Sequence, residues 1–277
     1  TYTGTGDQVV LLDKDVTLSG GWDSTFTAQT ATSTIDGQRS RRGITVSSGV
    51  TTIMERFAIW NGSADEDGGI YNDWHGTLTL NNSTISGNTT NHGGGTIYND
   101  GTLTLNHSTV SENAGYDYAS GGIFNNGTLT LNHSTVSDNT ASEYSGGIYN
   151  GGTLILNHST VSGNTASQCG GICNSGYMTL NNSTVSGNTV SGEGGGISNS
   201  GYMTLNNSTV SGNRASYFGG ICNAGNVTLN NSTVSGNTAS GGGGGIYNGG
   251  DVSLSNSTVS GNRASYGGGI YNYEGDV

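Results

Sequence analysis

The chain has no proline, little charge and very few cations. Only 7 of its 277 residues are Lys or Arg, against 19 Asp or Glu, for a net charge of −12. Five of the seven (Lys14, Arg39, Arg41, Arg42, Arg56) lie in the first 66 residues, and beyond Ile70 only Arg214 and Arg263 remain. Nucleic-acid binding needs clustered cations that displace counterions, so that class is excluded. Docking on an anionic membrane surface is disfavoured for the same reason. No apolar run approaches the ~20 residues of a membrane-spanning helix. The three cysteines, Cys169, Cys173 and Cys222, are too few and too irregularly placed for a disulfide framework.

Apolar residues are scarce as well, at 31%, while glycine reaches 51 residues. Composition of that kind belongs to flexible chains, but a strict internal period overrides it. A unit of the form G-G-I-Y-N-x-G-T-L-T-L-N-x-S-T-V-S-G-N-T-A-S recurs nearly nine times. Its Ile falls at Ile70, Ile97, Ile123, Ile148, Ile172, Ile197, Ile221, Ile246 and Ile270, in steps of 24 to 27 residues. So steady a period implies a stacked solenoid in which each unit buries its apolar face on its neighbours.

Within a unit the alternation has period two. Thr77-Leu78-Thr79-Leu80 puts two leucines on one face, Thr84-Ile85-Ser86 turns one aliphatic inward, and Ile70 centres Gly69-Ile70-Tyr71. Runs this short between Gly and Asn are strands, since helices do not fit. The predicted fold is all-β: a parallel β-helix with three short strands per coil of about 25 residues. Asparagine follows each strand, in columns headed by Asn72, Asn81 and Asn88, and only Ser255 breaks the middle one. Asn tolerates left-handed corners and stacks its amide on the next coil, so these columns are predicted corner ladders. Cys173 and Cys222 share a slot two coils apart, roughly 10 Å at a ~4.8 Å strand spacing, too far for a disulfide. Cys169 and Cys173 share one coil and are close enough to pair, but ordinary buried or half-buried thiols are the favoured expectation.

Residues 1–66 read as irregular coils of the same β-helix. Strands are predicted at Val9–Leu12, Asp15–Leu18 and Gly43–Val46, with a further apolar run from Ile53 to Trp60. Residues 67–277 form the regular array, giving one continuous domain. The chain opens at Thr1 without Met and stops at Val277 inside a ninth repeat, which reads as a piece of a longer protein truncated at both ends.

Gly69-Ile70-Tyr71-Asn72 followed by Ser86-Gly87-Asn88, with their later copies, resembles the repeats of polymorphic outer membrane proteins and similar bacterial surface proteins. Val16-Thr17-Leu18-Ser19-Gly20-Gly21 followed by Ile35-Asp36-Gly37 is similar to their lead-in. One departure is that Ile85 or Val stands where that family often has Phe. The resemblance implies a right-handed β-helix of the pectate-lyase-like superfamily, secreted or held at the bacterial surface. It implies little about activity, because that superfamily holds lyases, hydrolases, epimerases and adhesins. Its lyases use Arg or Lys as base, often with Ca²⁺ on acidic ligands. Here Arg214 and Arg263 stand two coils apart without an acidic cluster, and read as solvated corners.

The departures from the repeat mark the candidate sites. His107, His133 and His158 fill one slot on successive coils where Asn82, Asn182, Asn207, Asn231 and Asn256 stand elsewhere. Stacked imidazoles ligate Zn²⁺, with Glu112 or Asp138 as an added oxygen donor. The last two occupy a Gly slot on adjacent coils and are also a candidate carboxylate pair for glycoside hydrolysis. Asp65, Glu66, Asp67, Asp73 and Asp100 make a second acidic group, a candidate for Ca²⁺. Tyr71, Tyr98, Phe124 and Tyr149 form an outward aromatic file, resumed at Tyr247 and Tyr271, suited to carbohydrate or a protein partner. Thr84 and Ser86 head a double file of hydroxyls similar to those of ice-binding proteins. No catalytic set emerges. The sequence favours a non-enzymatic extracellular rod, structural or adhesive, that self-associates into filaments or a surface layer. The other readings are a carbohydrate-active enzyme or polysaccharide-binding module and, behind these, a metal- or ice-binding rod.

Overall fold

Leucine, isoleucine and valine at alternate positions of short runs fix where the chain extends, and Gly or Asn after each run fixes where it turns. In the computed structural model, which describes residues 1–273, these runs stack into four parallel sheets of 11, 10, 10 and 8 strands. The last residues, including the chain end at Val277, lie outside the described residues. No helix occurs among the described residues.

The first sheet holds Ile70–Asn72 and its copies, the second Thr77–Asn81, the third Thr84–Ser86. Pairing is residue on equivalent residue: Ile97 on Ile70, Leu103 on Leu78, Val110 on Ile85. Each coil thus sends one Ile, two Leu (the first replaced by Met178, Met203, Val227 or Val252 in later coils) and one Ile or Val inward, and Ile70, Leu78, Leu80 and Ile85 are completely buried. Burial of each such side chain contributes ~1.5–3 kcal/mol. This explains how a chain so poor in apolar residues keeps a core.

A fourth sheet adds to the three strands read from the sequence. It consists of two-residue strands such as Thr89–Thr90, Thr140–Ala141 and Thr165–Ala166. Its inward residues are small: Thr90, Ala141, Ala166, Val190, Ala215 and Ala239. One alternation is too short to register as a strand signal. The first 66 residues enter the same sheets, with Gln8–Leu12 on Arg42–Val46, Val16–Ser19 on Thr51–Glu55 and Ser33–Asp36 on Phe57–Trp60. The run from Ile53 to Trp60 is split at Arg56, which has a positive φ of 58°.

The asparagine columns are ladders, but their members are not the left-handed corners. Asn72, Asn81 and Asn88 do not have positive φ; the residues at +48° to +50° are Asn82, His107, His133, His158 and their later equivalents. Each ladder Asn instead bonds its amide along the stack. Asn72 Nδ2 donates to Asn99 Oδ1 at 2.7 Å and Asn88 Nδ2 to Asn113 Oδ1 at 3.0 Å, both pointing towards the C-terminal end. The half-buried middle column runs the other way, Asn106 Nδ2 donating to Asn81 Oδ1 at 2.8 Å. At the head of the first ladder Asn72 Oδ1 has no partner, because Val46 fills that position one coil earlier. Serine forms a further buried ladder: the Ser83 amide N–H donates to Ser108 Oγ at 3.1 Å.

Cys169 and Cys173 form a disulfide, with Cα atoms 5.7 Å apart, which corrects the expectation of two free thiols. Their spacing across one turn of a coil satisfies disulfide geometry where the two-coil separation of Cys173 and Cys222 does not. Cys222 is free, and burial pushes its thiol up to about 12.

Candidate contact site

Tyr71 lies between inward Ile70 and Asn72 on a strand, so its ring must project outward, and in-register stacking places the next coil's ring beside it. Tyr71 and Tyr98 are 5.7 Å apart between centroids, Tyr98 and Phe124 5.3 Å, Phe124 and Tyr149 4.5 Å, all stacked. The four predicted contact residues therefore form one continuous column. Arg42 caps it, its guanidinium 5.2 Å from the Tyr71 ring centre, a cation–π contact. Most ring faces in this column are spent on one another. What it offers outward is ring edges and phenol hydroxyls.

The column stops where Cys173, Ser198 and Cys222 take the slot, and resumes at Tyr247 and Tyr271. Phe218 restores a ring beside Cys222: it comes from the preceding loop at φ 61° and stacks on Tyr247 at 3.9 Å. Sequence reasoning missed Phe218 because it lies outside the column's slot. Its single signal was an aromatic in a stretch that is Gly or Ser in most copies.

At the N-terminal end of the column the acidic group closes round a cleft of about 360 Å³ lined by Glu66, Asp67, Tyr71, Gly94, Tyr98, Phe124 and Asn126. Asp67 is its buried member, with a side chain only 5% exposed. Its Oδ1 accepts a long bond from the Gly95 N–H at 3.4 Å, and its Oδ2 lies 3.9 Å from Arg42 Nη2. Burial raises the Asp67 carboxyl to about 7; Arg42 opposes the shift, while Glu66 and Asp100 add to it. Arg42 also donates from Nε to the Asp67 carbonyl at 2.8 Å and from Nη2 to that of Glu66 at 2.9 Å, which fixes the acidic loop.

The other acidic residues have separate partners. Asp73 accepts from the Tyr71 hydroxyl at 3.2 Å, and burial, then Asp73, pushes that phenol up to about 12. Asp100 accepts from Asn126 Nδ2, which also donates to the Tyr98 hydroxyl. Exposed Asp65 and Asp117 flank His92 at 3.9 and 3.5 Å. Glu66 and Asp67 of the acidic group thus share one cleft with the aromatic file, Asp73 and Asp100 bond residues of its wall, and Asp65 lies outside it beside His92. Its chemistry is that of a polar cleft able to hydrogen-bond hydroxyls against aromatic edges.

The other candidates lie elsewhere. His107, His133 and His158 stand exposed on one corner, and Glu112 and Asp138 on the next, at φ 57° and 56°. The strand between these corners, at ~3.3 Å per residue, holds the carboxylates roughly 15 Å from the imidazoles, so the two sets do not share a ligand. Among the described residues no three His, Cys, Asp or Glu side chains converge to hold a metal ion. Arg41 binds the carbonyls of Thr3 and Gly4, and Arg214 is an exposed strand residue.

Residues 231–249, from the corner Asn231 through Ile246-Tyr247-Asn248, match the Chlamydia polymorphic membrane protein repeat. Comparison with curated proteins and with solved structures gave no match. The chain is a parallel β-helix whose repeats resemble those of the polymorphic membrane proteins.

Proposed function

We propose that the chain is the rod of a bacterial cell-surface protein, working outside the cell as a non-enzymatic structural or adhesive element. The observation that carries this reading is the register of the four sheets, in which equivalent residues pair from coil to coil with one bulge between Gly95 and Ile97. Its residues are committed to stacking coil on coil, and eleven strands at ~4.8 Å make a rod about 50 Å long with constant faces. The repeat matched at 231–249 is that of membrane proteins by name, which supports placement at the cell surface. Contact is made at the cleft beside Tyr71, Tyr98 and Phe124, where Asp67, Glu66 and Asn126 meet the hydroxyls of a polysaccharide or a glycosylated surface partner. Lateral packing of copies through the outward Thr84 and Ser86 files would build filaments or a layer.

The test is binding of the purified chain to a polysaccharide panel and to intact cells, with Tyr98→Ser as the cleft variant. Serine already occupies this slot at Ser198, so the coil tolerates it. Retained binding in the variant would remove the cleft from the proposal.

One observation favours a second reading, a carbohydrate-active enzyme on the same fold. A carboxyl held near neutral titration beside Glu66 is the arrangement expected of a general acid. Sugar release from any acidic polysaccharide, lost in Asp67→Asn, would establish turnover and displace the structural reading.

A further inference from the structure

His107, His133 and His158 occupy a corner whose backbone does not require histidine. Asn82 before them and Asn182 after them hold the same φ, 48° and 50°, against 49° to 50° for the three histidines. The rings stand face to face, 5.1 Å between His107 and His133 and 4.9 Å between His133 and His158, tilted by only 6° and 5°. All three are exposed, and no described protein group hydrogen-bonds their ring nitrogens. Stacking this close is unremarkable for neutral imidazoles, but it also places two good metal ligands side by side, twice. Two metal–nitrogen bonds of ~2.0–2.1 Å span up to about 4 Å. A tilt of two exposed rings about their side-chain bonds therefore brings one nitrogen from each onto a single ion.

We propose that adjacent imidazoles of this file chelate one divalent transition-metal ion of the borderline class, Zn²⁺, Ni²⁺ or Cu²⁺, with water completing its shell. Glu112 and Asp138 are not ligands, since they stand at the far corner of the strand. The unit is a pair of neighbouring histidines, and His133 belongs to both pairs. Imidazole donors and an open shell rank Cu²⁺ above Ni²⁺ and Zn²⁺, and give no hold on Ca²⁺, which takes oxygen ligands.

The geometry sets an unequal prediction for three equivalent-looking substitutions. His133→Asn leaves His107 and His158 two rungs apart, about 10 Å from the sum of the 5.1 and 4.9 Å spacings, beyond the reach of one ion. His107→Asn or His158→Asn leaves a complete pair. Equilibrium dialysis of the whole chain against NiCl₂ and ZnCl₂ should show one bound equivalent in the parent, in His107→Asn and in His158→Asn, and its loss in His133→Asn. Electron paramagnetic resonance of the CuCl₂-loaded parent should show two imidazole nitrogens. Because Asn is the column's own alternative, metal-free melting should be unchanged in all three variants. Absence of binding in the parent overturns the proposal. So does undiminished binding in His133→Asn, which would place the ion at His75 or His92, or an equal loss in all three variants.

Discussion

The coils from Ile70 to His158 and those from Ile172 to Ser260 share one register and one core, yet differ at their corners. In the later coils the corner before the third-sheet strand is Asn182, Asn207, Asn231 or Asn256, and the corner after it is Gly187, Gly212, Gly236 or Gly261. In the earlier coils Asn82 holds the first corner once and then His107, His133 and His158 hold it, while Glu112 and Asp138 hold the second corner between Gly87 and Gly163, at nearly the same φ. The aromatic column is unbroken in the earlier coils and interrupted in the later ones, and Asp67 is buried at the head of the earlier set. The fold is thus held by what both regions share, the aliphatic core and the amide ladders. Chemistry varies where the backbone needs only a left-handed or outward residue. That separation explains why departures from the repeat gather on corners and outward slots and leave equivalent inward residues paired, the one register shift falling at Gly95 before Ile97.

The shared part is where the largest effects lie. Asn164 donates from Nδ2 to the Val136 carbonyl and to Asn188 Oδ1, and its own Oδ1 accepts the backbone and side-chain N–H groups of Asn139, all at 3.0 Å. Asn164→Ala removes the partner of the buried Asn139 N–H and of the Val136 carbonyl, whereas Asn139 Nδ2 keeps the Val110 carbonyl and Asn188 Oδ1 keeps the N–H of residue 164. At about 1–3 kcal/mol for each group left unpaired, a loss on the order of 4 kcal/mol is expected in denaturant unfolding. Asn113→Ala, in the earlier coils, should cost as much. A markedly smaller loss there would mean that the two regions do not share their stabilising element.

Asp67 separates the regions next. Its folded pKa, about 7, is raised from 3.8. The contribution of this group to stability is therefore fully present below about 4 and is lost as pH rises through about 7. A shift of about three pKa units is worth at most about 4 kcal/mol. Asp67→Asn keeps the uncharged shape and removes the ionisation. It should melt above the parent at pH 8 and flatten the pH dependence of melting between 5 and 8. A parent and variant with parallel pH profiles would show that the buried carboxyl is not the source.

The period and alternation made the solenoid, its inward residues and its amide columns legible from the chain, because repetition multiplies a weak signal. The fourth sheet was not legible, since Thr-Ala between Asn and Ser carries one alternation. The left-handed corner is Asn82, not Asn81: the two amides are adjacent, and only the fold decides which stacks and which turns the chain. The union of the Asp67 loop with the Tyr71 column depends on a contact between a loop and the next coil's ring, which no spacing within one repeat encodes. His107 and Glu112 looked like one site because five residues are few in sequence, whereas in a strand they span most of a face.

The smallest effect probes the corner itself. Glu112 has a φ of 57°, a conformation that favours glycine, while Gly187 in the equivalent slot has 64° and open space around the position a Cβ would take. With no steric clash at Gly187, the difference between the two corners is backbone conformation alone. Glu112→Gly should therefore stabilise the chain by about 1 kcal/mol and Gly187→Glu destabilise it by a similar amount. For a chain of this size that is a shift of about 2 °C in either direction. The double exchange should return the melting temperature to that of the parent, because the two corners are far apart and share no partner. If Glu112→Gly instead lowers it, the carboxylate contributes to the earlier coils in a way its exposed corner does not reveal, and Asp138→Gly should then show the same loss.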